Sequence, residues 1–262
     1  MVIYIVLLLY WGNFIMFANE NIIEYIKIGE SNDSFKKLNK IYSRIPDGTC
    51  SGCANCCMES VNTFFIEFLN IYNHLNENPE LKKALIPKIK KYYFLELVQK
   101  MHCPFLNEEK KCSIYSVRPL TCRLFGHWDK QDYLDNKMSV FKTNNNVAIF
   151  FKNQYQITLP SEVITYSIPY CNDYKIKKRL KKKQRHQLSD DIFALDIPFL
   201  MDNILTDDLI GMNLIQWFIY TLCFEDSIGD LRIKITKEYL ENGESKTLNK
   251  LIPDNDASHQ SV

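Results

Sequence analysis

From Asn21 to Ile45 apolar residues recur at helical spacing (Ile22, Ile26, then Phe35, Leu38 and Ile41), with Gly29-Glu30-Ser31-Asn32-Asp33 breaking the run into two helices. After the turn Pro46-Asp47-Gly48, the stretches Val61 to Asn76 (Phe64, Phe65, Phe68, Leu69, Tyr72) and Pro79 to Met101 (Leu81, Leu85, Ile89, Tyr92, Tyr93, Leu97) predict two more, the second interrupted at Pro87. The period changes between Val140 and Leu159. There VFK and VAIFF flank the turn-rich Thr143-Asn144-Asn145-Asn146, and YQITL follows, which predicts a two- or three-stranded meander. Asp173 to Leu188 reads as a basic helix, and Asp190 to Leu240 as two or three helices, one starting at Pro198. The polar end from Asn242 onward is expected to fray. No repeat of 20 to 50 residues is visible. The expected fold class is mainly α with a small antiparallel β meander and irregular cysteine-rich loops wrapped around a metal centre. Its layout is an apolar segment over 1–18, one α-rich domain over 19–240 holding a cysteine module at 50–126, and a polar tail over 241–262.

At 262 residues the chain is long enough to bury a sizeable core without disulfide staples. Its 32 Lys and Arg against 31 Asp and Glu leave a net charge of +1, so any electrostatic partner must be read from local patches. No two of the eight glycines are separated by a single residue, which excludes GxGxxG, and GK[ST], GxSxG and HExxH are absent. Met1 to Phe17 is uncharged and apolar, just short of the ~20 residues that span a bilayer. It lacks the basic opening of a secretory signal, since the first basic residue is Lys27. A membrane anchor and a true start at Met16 stand side by side as explanations. An odd count of nine cysteines, with Cys56 and Cys57 adjacent, suits a reducing compartment, so the expected location is cytoplasmic, with a single N-terminal membrane anchor as the alternative.

Seven of the nine cysteines fall between Cys50 and Cys122. The first group is Cys50-Ser-Gly-Cys53-Ala-Asn-Cys56-Cys57, whose spacing of two lets successive thiolates converge on one centre. The second is Cys103-Pro104-Phe105-Leu106, then Cys112-Ser-Ile-Tyr115-Ser-Val-Arg118-Pro119-Leu-Thr-Cys122-Arg123-Leu-Phe125-Gly126. Soft sulfur selects zinc or iron–sulfur centres over magnesium or calcium. Three cysteines at spacing two with a remote Cys-Pro point towards a [4Fe–4S] cluster, whereas zinc sites more often use two separated C-x2-C knuckles. The rival reading is disulfides or buried structural thiols.

The run CSGCANCC, followed by CPFL, C-S-IY-S-V-RP and TCR-LFG, resembles the YkgJ-type cysteine-cluster family of zinc- or iron-chelating domains over roughly Cys50 to Gly126. It is also similar to the cluster-bearing part of flagellin lysine N-methylases. The resemblance implies metal binding through Cys50, Cys53, Cys56, Cys57, Cys103, Cys112 and Cys122. Cys171, in Ile168-Pro-Tyr-Cys171, is a candidate eighth ligand, making two sets of four. Cys223, inside Trp217-Phe-Ile-Tyr-Thr-Leu-Cys223-Phe, reads as a core thiol. Arg118 and Arg123 can offset thiolate charge or brace the loop; His102 and His127 can ligate or simply pack; Tyr115 and Phe125 are expected to cover the centre.

The run 175–185 places eight cations in eleven residues (Lys175, Lys177, Lys178, Arg179, Lys181, Lys182, Lys183, Arg185). From His186 to Leu231 there is no Lys or Arg and there are nine acids, among them Asp190, Asp191 and Asp196. Mutual neutralisation of the two segments is the expectation, with nucleic-acid or anionic-lipid binding through 175–185 as its rival. The functional expectation is a metal-binding protein with an iron–sulfur or zinc centre, serving redox chemistry or modification of a protein partner or substrate. A structural zinc module for protein or nucleic-acid interaction is one alternative. Lysine N-methylase-like activity is another, carried by resemblance alone, since no glycine-rich methyl-donor motif is present. No catalytic residue is assigned.

Overall fold

Helix α3 (Phe65–Asn76) is apolar over most of its surface, and Phe65, Ile66, Phe68, Leu69, Ile71, Tyr72 and Leu75 are all buried. A helix with that pattern must be surrounded. It is wrapped by α1 (Asn19–Ser31), α2 (Ser34–Tyr42), α4 (Pro79–Leu95) and α8 (Lys182–Met201), and α9 (Leu214–Leu222) packs against α4 and α1. This arrangement comes from a computed structural model that describes residues 19–222 and 228–252. Phe68 stacks on Trp217 at 5.6 Å and meets Phe218 edge-on at 5.3 Å, so aromatic rings fill the centre. The first N–H groups of α3 are met by carboxylates: Asp196 accepts from Phe65 (2.9 Å) and Ile66 (2.8 Å), and Glu67 accepts from Phe64 (3.1 Å). Negative charge there also suits the helix dipole.

The remaining elements are β1 (Gly48–Thr49), α5 (Leu120–Leu124), α6 (Lys130–Tyr155), α7 (Ser161–Ile164), β2 (Lys175–Ile176), α10 (Ile228–Asn242) and α11 (Lys246–Leu251). The fold is mainly helical with a small antiparallel sheet, as the sequence pattern indicates. The sheet is elsewhere, however, pairing Gly48 with Ile176 and Thr49 with Lys175. Residues 140–155 belong to the 26-residue α6. Val147 and Phe151, four apart, are buried on one helical face against Leu97, Ile157 and Leu159, and Asn144 donates to the Ile164 carbonyl. That packing outweighs the turn preference of three asparagines, each a weak helix former by only a few tenths of a kcal/mol.

Other expectations shift similarly. Residues 61–64 are extended, because Asn62 bridges to Asn213 and the Leu214 N–H donates to Val61. Pro87 lies inside a continuous α4, held by buried Leu85, Ile89, Tyr92 and Tyr93 on either side. The basic stretch becomes helical only at Lys182, since residues 175–176 pair with β1, and Pro198 falls in the last turns of α8 rather than at a start. The polar end begins with a docked helix, α11, capped by Ser245 and carrying buried Leu248. Among the described residues no helix is long and apolar enough to cross a membrane. The apolar segment 1–18 and Cys223 lie outside the described residues.

Candidate metal centre

The cysteine run starts where β1 ends. Gly52 (φ +72°) and Ala54 (φ 59°) both take left-handed backbone, curling Cys50 to Cys53 into a tight loop, and the Gly52 N–H donates to Cys50 Sγ at 3.4 Å. A 3₁₀ turn, Asn55–Met58, then sets Cys56 and Cys57 with their sulfurs 4.0 Å apart. The Cys57 carbonyl accepts from the Cys103 N–H at 2.6 Å, which joins the first cysteine group to the second. Beyond Cys103 the chain doubles back: Ser113 donates to the Phe105 carbonyl at 2.8 Å, and Leu106 bridges to Cys112. Buried Phe105 pins this hairpin to the core against Phe218 at 5.6 Å.

Cys122 sits on α5, and its position is set from within the core. The buried Glu67 carboxylate accepts from the Tyr42 hydroxyl and the Leu120 N–H, both at 2.6 Å, tying α2, α3 and the start of α5 together. Burial raises the pKa of Glu67 while these donors oppose the rise. Arg123 braces the preceding turn: it donates to the carbonyls of Arg118 (2.8 Å) and Ser116 (2.6 Å), with its guanidinium 3.9 Å above the Tyr42 ring.

Cys171 arrives by a separate route. The Tyr174 ring lies against Gly48 and Gly126, where an added Cβ would stand 2.4 and 2.3 Å from ring atoms. This close approach, with the β1–β2 pairing beside it, brings residues 171–176 across the cysteine loop. Sequence reasoning missed Tyr174, Gly48 and Glu67. The signal was thin: two glycines bracketing the cysteine segment, with an aromatic residue three positions after Cys171.

Four thiols, Cys56, Cys103, Cys112 and Cys122, lie close enough for every pair among them to interact electrostatically. Burial pushes Cys103 up to about 12 and Cys122 well above the ordinary thiol value, and it raises Cys112. Cys56 is raised first by its hydrogen bond with Cys57 and then by burial. Arg118 opposes the rise at Cys56, Cys112 and Cys122. Cys171 is raised by burial, with smaller contributions from Cys56 and Cys53, while Cys50 and Cys53 themselves are exposed. So many desolvated sulfurs can all ionise only if a cation neutralises them, and thiolates held together this way are what zinc and iron favour. The donor set fits such a group. Among the described residues no three His, Cys, Asp or Glu side chains already stand in a coordinating arrangement, so binding would draw the loops closer.

The flanking candidates are placed as follows. His102 is exposed. His127 is fully buried, its Nδ1 accepting from the Leu180 N–H at 3.3 Å and its pKa lowered by burial and then by Arg185 and Arg179. Tyr115 is 48% exposed beneath the Arg118 guanidinium, and Phe125 is half-buried.

Residues 49–143, from β1 into α6, match the model of the CxxCxxCC family, whose description reads "Putative zinc- or iron-chelating domain". The segment is similar to that domain, and the match supports binding of zinc or iron. No solved structure matches the chain.

Proposed function

We propose that the chain holds an iron–sulfur centre whose inner ligands are Cys56, Cys103, Cys112 and Cys122, with half-buried Cys57 and Cys171 and exposed Cys50 and Cys53 forming an outer tier. The observation that carries this is the joining of three cysteine-bearing segments on one core: the Cys103 N–H donates to the Cys57 carbonyl at 2.6 Å, Leu106 bridges to Cys112, and Glu67 fixes the start of the helix that bears Cys122. An inner set made wholly of cysteines, one of them followed by proline at Cys103-Pro104, is what favours iron–sulfur. When bound, such a group supplies one-electron chemistry. The protein's own part is to exclude water with Phe105 and the α5 backbone, to offset negative charge with Arg118, and to brace the loop with Arg123. All eight described cysteines are free thiols, in keeping with a reducing, cytoplasmic setting.

Zinc is the second reading. Its support is that the inner four take only one sulfur from the C-x2-C-x2-C run. Anaerobic purification with iron, acid-labile sulfide and zinc measured per chain separates the two, using Cys122→Ser and Cys50→Ser as variants. Iron and sulfide near four each, abolished by Cys122→Ser and mostly kept by Cys50→Ser, is the expected result. Zinc without sulfide selects the second reading. Equal loss in both variants overturns the division into tiers.

A further inference from the structure

Of the basic run 175–185, expected to be helical and neutralised by the acids that follow it, the part before Lys182 is not helical, and only Lys182 and Arg185 have an ion-pair partner among the described residues, Asp132. Lys175, Lys177, Lys178, Lys181 and Lys183 are exposed, and among the described residues none of them has a carboxylate within ion-pair distance. Three of the acids on neighbouring elements are taken up elsewhere: Asp132 holds Lys182 and Arg185, Asp191 holds Arg44, and Asp196 caps α3. The first turn of α8 contains no acid, so Lys181 and Lys183 add positive charge where the helix dipole already disfavours it. The fold therefore leaves a local field that the near-zero net charge conceals.

We propose that residues 175–183, together with the exposed ring of Tyr115, form a docking strip for single-stranded nucleic acid. The β1–β2 pairing sets Lys175 opposite Thr49 at the edge of the cysteine loop; the Tyr174 ring lies against Gly126, and Arg123, three residues before that glycine, donates to the carbonyl of Ser116, next to Tyr115. Arg118 lies 3.8 Å over the Tyr115 ring, leaving the ring about half exposed. Lysines along a backbone beside an available aromatic face are the elements by which single strands are held: charge tracks the phosphates and a ring stacks on a base. A membrane is disfavoured because the strip offers nothing to insert; Ile176 is half-buried and Leu180 buried.

The test is fluorescence anisotropy of a labelled 20-nucleotide oligouridylate with the full, metal-loaded chain at 50 to 200 mM salt. Five phosphate contacts give a log–log salt slope of about −3.5, a weakening of about 100-fold over that range. Lys175→Glu/Lys177→Glu/Lys178→Glu should reduce the slope by about 2. Tyr115→Ala should cost about 5- to 100-fold at every salt concentration and leave the slope unchanged. Circular dichroism and metal content unchanged in both variants separate failure of the strip from failure of the metal reading. No binding at 50 mM salt, binding indifferent to both variants, or capture only by phosphatidylcholine–phosphatidylserine vesicles each overturns the proposal.

Discussion

The two halves of the molecule are held together by different physics. Around α3, Phe65, Phe68, Tyr72, Trp217 and Phe218 interlock at ring separations of 5.0 to 6.2 Å, and burial alone accounts for the order. The two cysteine loops, residues 50–58 and 103–127, contain one five-residue helix and short 3₁₀ turns, and they rest on a few links: Cys103 to Cys57, Leu106 to Cys112, and the Arg123 brace. Cys103 and Cys112 are half-buried against the core's edge, and the other described thiols lie further out or level with them. The first region is complete as it stands, whereas the second is a frame whose final tightening belongs to a metal.

Disrupting the first region should have the largest effect. Phe68→Ala opens a cavity under Trp217 and should cost about 3–5 kcal/mol in urea unfolding; a loss below 1 kcal/mol would mean that the ring cluster is not what holds α3.

The next effect depends on pH and also belongs to the core. Asp196 is pushed by burial to about 7, from its ordinary 3.8. Between those values the folded protein keeps a proton that the unfolded chain has lost, so stability falls as pH rises from about 4 to about 7, by roughly 2–4 kcal/mol. Burial likewise raises Glu59, Glu67 and Glu96, and these act in the same direction, while His127, pushed down, acts oppositely. Asp196→Asn isolates its share: its unfolding midpoint should vary less with pH than that of the native protein. Parallel pH curves would remove the assignment.

The smallest effect on stability should come from the loop side. Gly126→Ala drives a methyl into the Tyr174 ring and should cost about 1–3 kcal/mol, mainly by undocking residues 171–176. The sensitive readout is Cys171, whose alkylation should accelerate several-fold while the core's melting temperature moves by only a few degrees. An unchanged alkylation rate would show that the Tyr174 contact does not hold this thiol in place.

These contrasts also explain what was legible in the sequence. The α3 and α4 patterns were clear because burial imposes helical periodicity directly. The meander at 140–159 was misread because Thr143 to Asn146 carries a local turn signal, and only the distant partners Leu97 and Ile164 reveal why helix prevails. The cysteine spacing disclosed the chemistry but not which sulfurs are neighbours. That grouping depends on Glu67 fixing Leu120 and on Tyr174 lying against two glycines, contacts between residues far apart in the chain.

The Glu67 link also has a consequence in time. Cys122 takes its place only once α3 is enclosed, and α3 is enclosed by Trp217 and Phe218, which the ribosome adds long after the seven clustered cysteines. At about 5–20 residues per second, the stretch from Cys122 to Trp217 takes on the order of 5–20 s to make. For that interval each newborn chain carries seven thiols with no finished scaffold beneath them, open to oxidation and to capture of the wrong metal, so cellular redox conditions during synthesis help decide how many copies are completed.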